Sequence, residues 1–184
     1  MKNILVVLSG PSGVGKGTVA KIITEKFKMA LSVSCTTRDP REGEVDGKDY
    51  FFITREDFLK KIDEGGFLEY SEHFENLYGT PKCFVEKSLA ERDVLLEIDV
   101  EGGLTVKKNF PDAVLIMLTS PSKDEIINRL NKRHTESEES IKLRLDRIDY
   151  EMKLSKDYDY VVVNDKLSDA VEEISKIIIN EKNK

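Results

Sequence analysis

Short runs of apolar residues, each closed by turn-forming residues, punctuate the chain at Ile4–Leu8, Val94–Ile98, Ala113–Leu118 and Tyr160–Val163. Runs of this length without polar alternation predict strands buried on both faces, as in a parallel sheet. Between them, apolar positions recur at helical spacing over Thr18–Phe27, Lys82–Ala90, Gly103–Asn109 and Lys123–Leu130. A last helix is predicted over Ser168–Ile179, with Ala170, Val171, Ile174, Ile177 and Ile178 along one face. Ser120-Pro121-Ser122-Lys123-Asp124-Glu125 reads as a helix start, with proline and acids in the first turn. Alternating strands and helices predict an α/β fold, a parallel sheet flanked by helices.

Two stretches break the alternation. Ser34 to Pro81 is crowded with charged, aromatic and glycine residues and predicts short strands around one helix at Arg55–Glu64. Arg129 to Arg147 is almost wholly charged or polar, with acids set among the basic residues. Neither stretch has a linker, and both read as inserts on one core. The expected division is a core of 1–33, 81–128 and 148–184, an inserted lobe of 34–80, and a short helical lid of 129–147.

Composition narrows the class. Among 184 residues, 39% are hydrophobic and 35% charged, enough to bury one core and not the profile of a disordered chain. A net charge of −6 leaves no basic surplus for non-specific nucleic-acid binding. Cys35 and Cys83 are too few for a disulfide framework or a zinc site. The five apolar residues after Met1-Lys2-Asn3 are too short for a signal-peptide core. No run approaches the roughly 20 apolar residues of a membrane span. These readings predict a cytoplasmic protein that touches neither membrane nor nucleic acid.

The first strand leads directly into Gly10-Pro11-Ser12-Gly13-Val14-Gly15-Lys16-Gly17-Thr18. This is the order a phosphate cradle requires. A buried strand delivers the chain to a glycine-rich loop, whose N–H groups can face a phosphate. Lys16 reaches the β- and γ-phosphates, and the following helix adds partial positive charge at its N-terminus. A P-loop of this kind binds a nucleoside triphosphate. It departs from the strict pattern in one respect: Gly17 follows Lys16, so no hydroxyl stands at the usual Mg²⁺-ligand position. The expectation is Mg²⁺ held by ATP phosphates and waters, with no direct protein ligand.

Downstream, Ser34-Cys35-Thr36-Thr37-Arg38-Asp39-Pro40-Arg41-Glu42-Gly43-Glu44 resembles the S-x-T-T-R-x-x-R-x-G-E signature of guanylate kinases. Further blocks follow in that family's order: Gly47–Phe52, Phe67–Tyr70, Asn76–Thr80, Glu97–Gly103, Arg129-Leu130-x-x-Arg133, and Thr135–Glu139. The resemblance spans Ile4 to Asp165. It implies a P-loop kinase sheet with a mixed α/β lobe for GMP and a helical lid. The implied reaction is Mg²⁺-dependent, in-line transfer of the ATP γ-phosphate to GMP; dGMP is expected as a companion acceptor and a monomer is expected, with an oligomer left open.

The residue chemistry is compatible with that implication. Arg38 and Arg41, beside Ser34, offer guanidinium forks to a dianionic phosphate, and Tyr50 and Tyr78 can add phenolic donors. Surface pairing of the arginines with Asp39 or Glu42 is the alternative. Guanine presents two donors, N1–H and its amino group, which one carboxylate can accept together. By resemblance Glu69 is that carboxylate, Thr80 and the adjoining Gly79 belong to the base site, and Ser34 approaches O6. Glu44 is a further site residue, and Asp99 stands between the nucleotides, contacting guanine or a metal-bound water. Asn164 is assigned to the adenine side. Lys16, Arg38, Arg41, Arg133 and Arg144 are the implied catalytic cations, the last two reaching the transferring phosphate from the lid. His134 replaces a common glycine, and Glu101 stands where the family often has glutamine. Whether Arg129 and Arg147 touch substrate stays open. So do two alternatives, a kinase for another nucleoside monophosphate and a non-catalytic module that binds phosphorylated peptides.

Overall fold

Leu5, Val6, Val7 and Leu8 are all buried, because successive side chains of their strand enter different halves of the core. In the computed structural model, which describes residues 2–73, 75–122, 125–126 and 147–184, this strand is β1 (Leu5–Ser9) at the centre of a five-stranded sheet. Its neighbours are β7 (Val94–Glu97) and β8 (Val114–Thr119), with β2 (Ala30–Leu31) and β9 (Tyr160–Val163) at the edges. Every pairing in it is parallel. Val6 and Leu8 pack with Val19, Ala20 and Ile23 of α1 (Lys16–Phe27) and Ala170, Ile174 and Ile178 of the last helix, α6 (Leu167–Lys182). Leu5 and Val7 face the opposite cluster, with Val85 of α3 (Lys82–Glu91) and Val100 and Val106 of α4 (Val100–Asn109).

The four predicted strands are present, each within one residue of its predicted bounds, but β9 is not the buried strand predicted: it lies at the sheet edge, where only Val162 is buried and Val161 and Val163 face outward. The two-residue strand β2 carries too short a pattern to be read from sequence. Two helices begin two or more residues earlier than predicted. The first opens at Lys16, capped by Gly15 in a left-handed conformation. The fourth opens at Val100, because the Asp99 side chain accepts from the Gly102 N–H and caps it. The helix predicted at Lys123–Leu130 falls outside the described residues except for positions 125 and 126.

A second sheet, in the order β4-β3-β6-β5, is built from β3 (Cys35–Thr36), β4 (Phe51–Phe52), β5 (Phe67–His73) and β6 (Asn76–Pro81). It is mixed: β3 pairs parallel with β4 and antiparallel with β6, and β5 with β6 form an antiparallel ribbon. Helix α2 (Arg55–Asp63) covers it, capped by Thr54, and buries Phe58 against Cys35 and Leu77. Phe58 stacks on Phe67 with ring centroids 4.4 Å apart. Gly79 makes that stack possible, since a methyl group there would lie 2.9 Å from both rings. Asn109 of α4 ties the two sheets together by donating to the Leu68 carbonyl at 3.0 Å. A helical segment at 147–153, here α5, returns the chain to the sheet through a 3₁₀ turn.

Candidate active site

The loop after β1 stands at the carboxyl end of the parallel strands, where ligands bind in open α/β sheets. Gly10, Gly13 and Gly15 all have positive φ, and at two of them a side chain would also collide with a neighbour. Gly10 has φ +149°, and a methyl group there would meet the Leu118 carbonyl oxygen at 2.0 Å. Gly15 has φ +93°, and a methyl group would lie 2.8 Å from Asn164 Nδ2. Lys16 curls over the loop, its Nζ donating to the carbonyls of Gly10 at 2.6 Å and Pro11 at 3.1 Å. The Asn164 amide is buried and donates to the Val14 carbonyl at 2.7 Å, bracing the loop from the core side.

A cavity of about 310 Å³ lies between this loop and the second sheet. Gly10, Ser12 and Lys16 line one side of it, and Ser34, Arg41, Tyr50, Glu69, Ser71 and Tyr78 the other. Glu69 and Thr80 are register partners on β5 and β6, so their side chains share a face. The Thr80 hydroxyl donates to Glu69 Oε1 at 2.6 Å, and both residues are buried. The rings of Tyr50 and Tyr78 meet edge to face, and burial pushes the Tyr50 phenol pKa up.

Arg38 is held, not loose. Its guanidinium makes a two-bond fork with the Glu44 carboxylate, each bond 2.7 Å, and lies over the Tyr50 ring. Glu44 also accepts from the Arg41 N–H at 2.8 Å. The Arg38 hydrogen bond pulls the Glu44 carboxyl down to about 2. The predicted alternative of pairing with the Asp39 or Glu42 side chain is thereby corrected: the partner is Glu44, and Asp39 contributes its carbonyl. Glu44 orients Arg38 and the backbone of Arg41, and Arg41 is the arginine of this pair that lines the cavity.

The floor of the cavity is acidic. Glu97, at the end of β7, lies close to Gly17, with both carboxylate oxygens 3.6 Å from where a methyl group on that glycine would sit. Burial raises the Glu97 pKa, and the Lys16 charge opposes the rise. Asp99 follows β7 as the cap of α4, and its Oδ2 accepts from Ser71 Oγ at 2.8 Å. Glu151, buried on α5, accepts from Arg147 Nε at 2.8 Å, yet burial still raises its pKa. Arg147 also approaches Glu101 at 3.7 Å, and Tyr150 donates its hydroxyl to Glu101 at 3.1 Å. The extra negative charge at Glu101 thus has a cation and a phenol beside it.

Not every predicted residue reaches the cavity wall. Thr80 stands behind Glu69, Gly79 packs the aromatic stack, and Val14 belongs to the core. Arg129, Arg133, Arg144 and His134 lie outside the described residues. Sequence reasoning missed Ser71, Glu97 and Glu151 as cavity residues. Ser71 could have been found, because period two on β5 puts it on the face of Glu69. Glu97 carried the signal of an acid closing a parallel strand. For Glu151 the sequence offers no signal.

Comparison with known proteins agrees with this geometry. A family model described as guanylate kinase matches residues 2–181. A guanylate kinase of Caldanaerobacter subterraneus subsp. tengcongensis is 51% identical over 183 residues, 98% of this chain and 89% of that one. One from Oceanobacillus iheyensis is 50% identical over 182 residues, 98% and 88% of the two chains. The crystal structure of guanylate kinase from Anaplasma phagocytophilum covers 99% of this chain and 87% of its own, with a TM-score of 0.81 at 33% identity.

Proposed function

The chain belongs to the guanylate kinase family and is an ATP:GMP phosphotransferase, and from that premise we propose how its residues divide the work. The observation that carries the proposal is one cavity lined both by Lys16 of the P-loop and by Glu69 with Thr80 behind it. Phosphoryl transfer requires little covalent chemistry from the protein; it requires two substrates in line and cations on the transferring group.

On the donor side, the loop from Gly10 to Thr18 receives the ATP phosphates through its backbone N–H groups, which every residue but Pro11 supplies, and Lys16 leaves its loop carbonyls for the β- and γ-phosphates. Asn164 keeps the loop in shape by holding the Val14 carbonyl. On the acceptor side, Arg41, Tyr50 and Tyr78 hold the GMP phosphate, with Arg38 locked beside them by Glu44. Glu69 accepts from guanine N1–H and the amino group while Thr80 fixes its carboxylate, and Ser34 approaches O6. Arg133 and Arg144 are assigned to the transferring phosphoryl group. The lobe of 34–80 and the lid of 129–147 are proposed to close over both substrates and exclude water.

The residues present also fit Mg²⁺. Its usual partners are hard oxygens, and the Glu97 carboxylate lies against Gly17, where the P-loop has no hydroxyl. Glu97 is the residue we propose to hold the ion's water shell; both Asp99 oxygens already accept hydrogen bonds, which leaves Asp99 the lesser partner. When bound, the ion neutralises charge on the β- and γ-phosphate oxygens. Acceptance of dGMP, a monomeric state and a cytoplasmic location belong to the same proposal. Among the described residues no helix is long and apolar enough to cross a membrane.

The test is ADP formation with Mg·ATP and GMP, AMP, CMP or UMP as acceptor. Strong turnover with GMP alone is expected. Comparable turnover with AMP would remove Glu69 from base recognition, and GMP binding without turnover would overturn the catalytic reading.

A further inference from the structure

We propose that Gly102 is a positioning residue for guanine recognition: its missing side chain leaves the space that the Glu69 carboxylate occupies. This rests on the reading of Glu69 as the acceptor for guanine. Gly102 lies in the first turn of α4, and the backbone there gives no reason for glycine. In a helix, glycine is less favourable than alanine by about 1 kcal/mol. The reason is the neighbour. A methyl group at Gly102 would lie 2.8 Å from Glu69 Oε2 and 3.3 Å from its Cδ.

Glu69 is clasped on both sides. Oε1 accepts from the Thr80 hydroxyl at 2.6 Å, and Oε2 rests against the bare first turn of α4. In its ionised form that carboxylate accepts from two guanine donors at once. Because the obstructed atom ends a flexible side chain, a methyl group would displace the carboxylate without forcing the backbone apart. Gly103 next to it is different. A methyl group there would meet the Tyr158 hydroxyl at 2.1 Å and Ser9 Oγ at 3.0 Å, so that glycine serves packing between α4 and the sheet. Adjacent glycines therefore have separate tasks.

The experiment compares Gly102→Ala with Glu69→Ala in steady-state kinetics, using GMP and IMP as acceptors, together with thermal melting. IMP lacks the amino group, so a displaced carboxylate harms it less. Gly102→Ala is expected to raise the GMP KM about 10- to 100-fold, the loss of a hydrogen bond to a charged group. The ATP KM and the melting temperature should hold, and the preference for GMP over IMP should fall. An unchanged GMP KM in Gly102→Ala, with a raised one in Glu69→Ala, overturns the role of Gly102 alone. An unchanged GMP KM and preference in Glu69→Ala overturns the base reading itself, and the inference falls with it. If Gly102→Ala fails to fold, the double variant Gly102→Ala/Glu69→Ala decides. Recovery of folding there supports the clash with Glu69, and continued failure refutes it.

Discussion

Replacing Asn164 by alanine separates two roles that its sequence position leaves mixed. Its motif context implies the adenine side of the site, whereas its amide is buried and donates to the Val14 carbonyl at 2.7 Å. Truncation leaves that carbonyl without this donor in a place closed to solvent, a loss of about 1–3 kcal/mol. For a chain of this size each kcal/mol shifts the melting temperature by about 2–4 °C, so Asn164→Ala is expected to melt about 2–12 °C lower. The loop would also lose the support that sets Gly15 and the start of α1, raising the KM for ATP and leaving that for GMP unchanged. The assays are calorimetric melting and initial rates with ATP and GTP as alternative donors. An unchanged melting temperature combined with an altered ATP/GTP preference would refute the bracing role and return Asn164 to the nucleotide.

Lys16→Ala is expected to lower kcat by a factor on the order of 10²–10³, as when one charge-stabilising donor is removed from a transition state, with little loss of stability; wild-type turnover would exclude Lys16 from the chemistry. Glu44→Gln should raise the GMP KM by releasing Arg38. Because the folded Glu44 carboxyl is pulled down to about 2 from an ordinary value of 4.5, its stabilising contribution is complete above pH 4.5 and vanishes as pH falls to about 2. The stability gap between wild type and Glu44→Gln, followed by denaturant titration, should therefore close across that interval; a pH-independent gap would contradict the ionic fork. Glu101→Gln, which loosens Arg147 at a half-exposed site, should change stability by less than about 1 kcal/mol; a larger loss on melting would mean that the cluster anchors α5.

Much of this architecture was open to reading because both its signals are local. Leu5–Leu8 and Val114–Leu118 are apolar without alternation, and a strand buried on both faces is the arrangement that hides every one of those side chains. The Gly10–Thr18 loop was legible for a similar reason: positive φ, which favours glycine, belongs to the loop's own backbone, although the close neighbours at Gly10 and Gly15 are the distant Leu118 and Asn164. The base site was legible only through resemblance, since nothing in the spacing of Glu69 and Thr80 announces a contact across a hairpin. Arg38 shows the limit well. Local reading offered Asp39 and Glu42 as partners, but the turn between Arg41 and Glu44 brings the Glu44 carboxylate onto the guanidinium.

By itself the sequence determined the alternation of strands and helices, the phosphate loop and the family, because periodicity, glycine placement and motif order are properties of neighbouring residues. Tertiary structure alone decided which acids and cations meet. Glu97 beside Gly17, Asn164 beneath Val14, Arg147 beside Glu101, and Glu69 against Gly102 are contacts between residues far apart in the chain. Such contacts depend on strand order and on how closely a helix approaches a sheet, and an ångström of packing settles whether a carboxylate is clasped, paired or left to meet a ligand.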